Sequence, residues 1–92
     1  MRFVWDPGKA RSNRLAHGVA FPEAASVLED PFALTRDDPD AVGERRSISL
    51  GMSSFGRVLV VVWTERGPDT IRIISAWRAS ARQRATHAEG IG

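Results

Sequence analysis

Most of the side chains able to do chemistry in this sequence are arginines. Twelve arginines and one lysine, Lys9, stand against eleven acids in 92 residues, for a formal net charge of +2. A guanidinium stays charged at physiological pH, and its planar fork of donors fits a phosphate better than a point charge does. Arg45, Arg57, Arg66, Arg72 and Arg78 fall on or beside segments that read as strands. Fixed guanidinium groups in a partly dry groove stabilise negative charge growing on a phosphorane. A histidine or glutamate beside them can take the proton from a ribose 2′-hydroxyl. The chemistry open to this set is therefore RNA cleavage without a metal. Taken singly, each arginine could equally cover a sheet edge or pair with an acid.

Other chemistries lack their residues. The chain has no cysteine, which removes disulfides, thiolate zinc sites and thiol nucleophiles. Its two histidines, His17 and His87, are 70 positions apart and belong to no ligand-spaced cluster. Asp37, Asp38 and Asp40 lack the spacing and terminal glutamate of a calcium loop, so they read as a solvated turn. Gly51-Met52-Ser53-Ser54-Phe55-Gly56 lacks the Lys-Ser/Thr pair of a Walker site, and no serine sits in a Gly-x-Ser-x-Gly elbow. No metal and no cofactor is expected. No apolar run approaches the ~20 residues of a membrane span. Met1-Arg2-Phe3-Val4-Trp5-Asp6 meets an acid too early for a signal peptide, so a cytoplasmic protein is expected.

The charge is unevenly spread. Residues 1–40 hold seven acids and five bases, whereas residues 41–92 hold four acids and eight arginines. A basic C-terminal half points to a polyanion such as nucleic acid. Among the tryptophans, Trp63 ends an apolar strand and reads as core, while Trp77, next to Arg78, is the better candidate for stacking a base or docking a partner.

The elements that must position these residues follow from pattern. Arg2 to Trp5 is a short extended segment. Asp6 and Pro7 open a helix expected to reach about Ala16, with Gly18 as its stop and His17 in its last turn. Pro22 starts a second short helix through Leu28, which Asp30-Pro31 ends. Phe32 to Thr35 is a weak strand, and residues 36–40 are acidic turn material. Residues 45–50 alternate as a half-buried strand, and residues 51–56 carry turn signals. Val58 to Trp63 is continuously apolar and reads as a central strand covered on both faces. Residues 65–69 turn, Ile71 to Ser75 is a strand, and Ala79 to about Ala88 is a helix with an exposed, frayed His87. Turns of about five residues enforce antiparallel pairing. The expected fold is α+β, ordered β-α-α-β-β-β-β-α, in a single domain spanning 1–92: two N-terminal helices and one C-terminal helix on a mostly antiparallel sheet. One sheet face is expected to stay open, concave and arginine-lined.

Phe3-Val4-Trp5-Asp6-Pro7-Gly8-Lys9-Ala10, then Asn13, His17-Gly18-Val19, Phe21 and Glu23-Ala24, resembles the opening of the BrnT toxin family. Asp30-Pro31, Gly43-Glu44-Arg45, Leu50-Gly51-Met52-Ser53 and Ile71-Arg72-Ile73-Ile74-Ser75-Ala76 extend the resemblance over residues 3–90. It implies a RelE-like ribonuclease toxin of a type II toxin–antitoxin pair that cleaves RNA without a metal and halts translation. The implied partner is a DNA-binding BrnA antitoxin, through which the pair represses its own operon. The matched polar positions are Lys9, His17, Glu44, Arg45, Arg66, Arg72 and Arg78. On this basis Arg66 and Arg78 are expected to hold the scissile phosphate and His17 or Glu44 to move the proton. Lys9, Arg45, Arg72 and Arg82 would guide RNA. The family often has histidine at Trp63, arginine at Trp77, an aromatic at Arg46, and glutamate and tyrosine at Gln83 and His87. Those departures imply, as an alternative, a chain that grips its antitoxin as a co-repressor without cleaving.

Overall fold

The computed structural model describes residues 1–91. Strand β1 (Arg2–Val4) leads into helix α1 (Pro7–His17) and helix α2 (Phe21–Val27). Strands β2 (Leu34–Asp37), β3 (Ser47–Met52), β4 (Val58–Glu65) and β5 (Thr70–Arg78) follow, and helix α3 (Ala81–Ile91) closes the order. The sheet runs β1-β5-β4-β3-β2, antiparallel throughout except for β1, which lies parallel to β5. The α+β class and the element order are those expected.

Local chemistry explains the first helix. Asp6 caps it by accepting the Lys9 amide at 2.9 Å, and Pro7 supplies a preset φ at the first position. Gly18, at φ 69°, takes the left-handed turn and donates its amide to Arg14 at 2.9 Å. α1 thus runs one residue past Ala16 and includes His17.

Four boundaries shift for tertiary reasons. β2 includes Arg36 and Asp37, which pair with Ile48 and Ser47 rather than turning. β3 extends to Met52 because β4 offers Val58 and Leu59 as ladder partners. β5 continues through Ala76, Trp77 and Arg78 opposite Val61, Val60 and Leu59. α3 begins at Ala81 because Ser80 and Gln83 form a reciprocal capping box: Gln83 N–H donates to Ser80 Oγ at 3.1 Å, and Ser80 N–H to Gln83 Oε1 at 2.8 Å.

The core lies between the two N-terminal helices and one sheet face. Val19, Phe21, Ala24 and Val27 pack on Leu59, Val61, Ile73 and Ala76, all at most 1% exposed. Burying such side chains contributes about 1.5–3 kcal/mol each for the larger ones. β4 is covered on both faces as expected: Val60 and Val62, which point away from this core, are 3% and 7% exposed. One irregularity matters below. Ser75 sits opposite Val62 and Ile73 opposite Trp63, so Ile74 is an extra residue, a β-bulge.

The second sheet face is not arginine-lined. Register places Leu34, Arg36, Ile48, Leu50, Val60, Val62 and Trp77 on it. It is mostly apolar because the alternation of β3 and the continuous apolar run of β4 send branched side chains to that side. Of the arginines within strands, Arg36 and Arg72 lie on this face, and Arg2 and Arg78 stand at strand ends.

His87 departs from expectation too. It is 2% exposed, and its Nε2 lies 2.9 Å from Asp30 Oδ2. Asp30 also accepts the Phe32 and Met52 amides, at 2.9 and 2.8 Å. Burial works against the Asp30 charge, but these amides and His87 outweigh it and hold its pKa below the ordinary carboxylate value. Gly51 makes the approach possible, since a Cβ there would lie 3.0 Å from both Val27 Cγ1 and Ala33 Cβ. The buried His87 pins α3 to the loop after α2.

Candidate active site

The eight sequence-predicted site residues do not converge. Arg78 lies opposite Leu59 at one end of β4, whereas Arg66 follows the other end. Leu59 and Arg66 are seven residue steps apart, roughly 23 Å at about 3.3 Å per residue. One phosphate cannot be held by both arginines. His17 joins Arg78, and Glu44 joins Arg66.

The Arg78 end is built by α1. β1 pairs with β5 only at Thr70–Arg72, leaving the rest of that strand edge without a strand partner among the described residues. Asn13 fills the gap with its side chain. Its Nδ2 donates to Ala76 O at 2.8 Å and to Val19 O at 3.2 Å. Its Oδ1 accepts Ala76 N–H at 3.1 Å and Ser75 Oγ–H at 3.2 Å. One buried amide thus satisfies both backbone groups of Ala76, as a neighbouring strand would. Ala10, Asn13 and His17 share the sheet-facing side of α1 at i, i+3, i+7 spacing. His17 therefore arrives one turn beyond Asn13, beside the last residues of β5.

There the His17 ring stands 6.2 Å from the Trp77 ring, tilted at 49°. Ala16, His17, Trp77 and Arg78 line an open cavity of about 630 Å³. The bulge at Ile74 helps to form it. Six positions apart in a regular strand, Arg72 and Arg78 would share a face. With the extra residue, Arg72 pairs opposite Thr64 while Arg78 turns to the Leu59 side, toward α1 and α2.

An ion pair between a buried glutamate and a half-buried arginine supports this end. Glu23, 5% exposed, accepts Arg57 Nε at 2.9 Å and Ser53 Oγ at 2.8 Å, and a second contact joins Arg57 Nη2 to its other oxygen. The Arg57 hydrogen bonds hold the Glu23 pKa below the ordinary value against the opposing effect of burial, with Arg78 adding a small push in the same direction. Arg57 itself is held more firmly protonated by Glu23. Arg57 also donates to Gly18 O at 3.3 Å, which ties the β3–β4 hairpin to the end of α1. Arg57 is thus a structural clamp, whereas the Arg78 side chain is exposed and makes no hydrogen bond or ion pair within the described residues.

The Arg66 end is different in kind. Arg66 pairs with Glu44 at 3.2 Å and Arg45 with Asp37 at 3.3 Å, all on accessible side chains. Asp37, Glu44, Arg45, Ser47, Thr64 and Glu65 line a cavity of about 420 Å³. Arg72 stands opposite Thr64 with no ion pair among the described residues. Lys9 is exposed on α1, about 12 Å along the helix from His17 at about 1.5 Å per residue. Arg82 is exposed in the first turn of α3.

Sequence reasoning missed Asn13 and the Glu23–Arg57 pair as the groups that set the site. The signal for Asn13 was present, as a polar residue on the apolar stripe of α1. The Glu23–Arg57 pair joins positions 34 apart in sequence and leaves no local pattern. The departures from the family pattern have structural employment: Trp63 Nε1 donates to buried Ser49 Oγ at 2.8 Å, Gln83 caps α3, and His87 anchors it. None of them removes His17 or Arg78.

Comparison with known proteins agrees with this architecture. The crystal structure of the Brucella abortus ribonuclease toxin, BrnT, superposes with a TM-score of 0.65 at 22% identity, covering 87% of this chain and 97% of that one. No curated protein sequence matches the chain. The family model described as the ribonuclease toxin, BrnT, of type II toxin–antitoxin systems matches residues 5–83. That match takes in α1, both sheet ends and the capping box of α3, and the chain belongs to the BrnT family of ribonuclease toxins.

Proposed function

We propose that the chain is a metal-independent endoribonuclease whose chemistry is done at the His17–Arg78 end. The supporting observation is the shared open cavity of His17, Trp77 and Arg78, where an uncommitted guanidinium and an exposed imidazole stand together. His17 takes the 2′-hydroxyl proton, and the 2′-oxygen attacks the adjacent phosphorus. Arg78 offsets the charge that grows on the phosphorane oxygens. The bond to the 5′-oxygen breaks, the leaving oxygen takes a proton from water, and a 2′,3′-cyclic phosphate remains. Arg45, Arg66 and Arg72 then guide RNA rather than hold the scissile phosphate. Lys9 and Arg82 add sequence-independent attraction.

The whole chain acts as one cytoplasmic toxin domain, inhibits translation by cutting RNA, and is neutralised by a BrnA-like DNA-binding antitoxin. Purified protein incubated with RNA and EDTA should produce fragments, and its expression alone should arrest growth. Intact RNA with unimpaired growth at high expression would overturn the reading. The co-repressor alternative would then remain, marked by a tight antitoxin complex without cleavage.

A further inference from the structure

Trp77 lines two cavities, the one that holds His17 and Arg78 and a second one on the other sheet face. The second is a groove of about 410 Å³ between α3 and strands β2–β4. Leu50 and Val60 form its floor, Trp77 closes one end, and Arg36, Gln83 and Thr86 supply polar atoms at the rim. We propose that this groove takes one unpaired nucleobase of the RNA whose phosphate sits at His17 and Arg78, with the Trp77 indole as its stacking platform.

The match is chemical. A nucleobase is a flat ring with apolar faces and a polar edge, and the groove is an apolar slot with a few polar groups at its mouth. Stacking on an aromatic requires the base to leave its helix, so the substrate is single-stranded at this position. The rim is rich in donors. Gln83 Oε1 is occupied by the Ser80 amide, which leaves the Gln83 NH₂ to donate. Arg36 is exposed and carries donors only. Donors select a base edge with carbonyl acceptors, so guanine or uracil is favoured over adenine, whose amine would face them. The occupant is argued to be RNA because the groove and the cavity of the proposed chemistry share one wall, the Trp77 side chain. Arg78 lies beside that shared side chain, and Arg36 stands at the far side of the groove, on β2.

The inference rests on the ribonuclease reading, so its test uses oligonucleotides that cannot be cut. Hexamers of 2′-O-methyl RNA, each with one guanine, uracil, adenine or abasic position among cytosines, are titrated against the wild type, Trp77→Phe and Thr86→Trp. The readouts are tryptophan fluorescence and affinity. Guanine and uracil hexamers should quench the wild type and bind best. Trp77→Phe should lose the quenching and about tenfold in affinity for them, while binding the abasic hexamer as the wild type does. Thr86→Trp, an exposed position on α3, should fill the groove and erase base preference. Base-independent binding by the wild type, or Trp77→Phe equal to wild type on every hexamer, overturns the inference. So does a Thr86→Trp variant that loses antitoxin binding but keeps base preference, since the groove then belongs to a peptide. Cleavage of ordinary RNA that His17→Ala abolishes, together with either of those results, leaves the ribonuclease reading standing and removes the base pocket alone. Base-dependent binding with no cleavage does the reverse.

Discussion

The two ends of the β4–β5 ladder carry similar residues and use them differently. At the His17 end the ion pair sets a buried Glu23 against a half-buried Arg57, and the exposed Arg78 side chain has no ion-pair partner among the described residues. At the Glu44 end the two pairs, Arg66–Glu44 and Arg45–Asp37, lie on exposed side chains. A buried pair fixes geometry, because breaking it strands a charge away from water. An exposed pair exchanges readily with solvent and holds little. One end is held in place by a pair half shielded from water and carries a spare cation, and the other is an exposed surface of exchanging pairs.

The sharpest way to break this contrast is through stability. Arg57→Ala leaves Glu23 buried without its partner and should cost about 3 kcal/mol, lowering the melting temperature by more than 10 °C at about 4–8 °C per kcal/mol. Arg66→Ala at the other end should cost less than about 0.5 kcal/mol. Equal losses in calorimetry would erase the distinction between the two ends.

Activity gives the next largest difference. His17→Ala and Arg78→Ala should each lower RNA cleavage by about 100-fold, while Arg45→Ala and Arg66→Ala should change it by less than tenfold and mainly reduce its salt dependence. If Arg66→Ala proved the more damaging variant in cleavage assays, the chemistry would belong to the Glu44 end. Asn13→Ala should cost about 2 kcal/mol, because it leaves both backbone groups of Ala76 unpaired. It should also reduce cleavage by loosening the placement of His17. A variant with full activity would show that α1 is held some other way.

The smallest effect is the acid response. Glu23 and Asp30 both have folded pKa values below their ordinary ones. Their stabilisation is therefore full above about pH 5 and is lost as pH falls through about 4 and below. Thermal melts from pH 6 to pH 3 should show the decline, and Glu23→Gln should flatten part of it. An unchanged slope in that variant would mean that Glu23 titrates as it does in the unfolded chain.

The same contrast marks what could be read in advance. α1 was legible to within a residue, because Asp6-Pro7 and Gly18 act locally, and the apolar run of β4 announced a central strand. The residues of the candidate site were legible as types, but their grouping was not. Arg66 and Arg78 look alike in sequence, and only the antiparallel ladder sends them to opposite ends. His87 looked like a frayed terminus because the partner that buries it, Asp30, is 57 residues away. The Ser80–Gln83 box was visible in the sequence and would have set the start of α3 correctly.

The extra residue at Ile74 has a consequence for how such chains diverge. Ile73 and Ser75 face consecutive residues of β4, Trp63 and Val62, so the bulge takes up one residue and leaves the ladder on either side in step. Deleting Ile74 would therefore keep Trp77 opposite Val60 and Arg78 opposite Leu59, each on its present face. What changes is the count along the chain. Two relatives that differ by this one residue would hold the flat group and the charged group in the same places while their sequences fall out of phase. A comparison by spacing alone, counted from Arg72, would put the indole and the guanidinium on each other's sides.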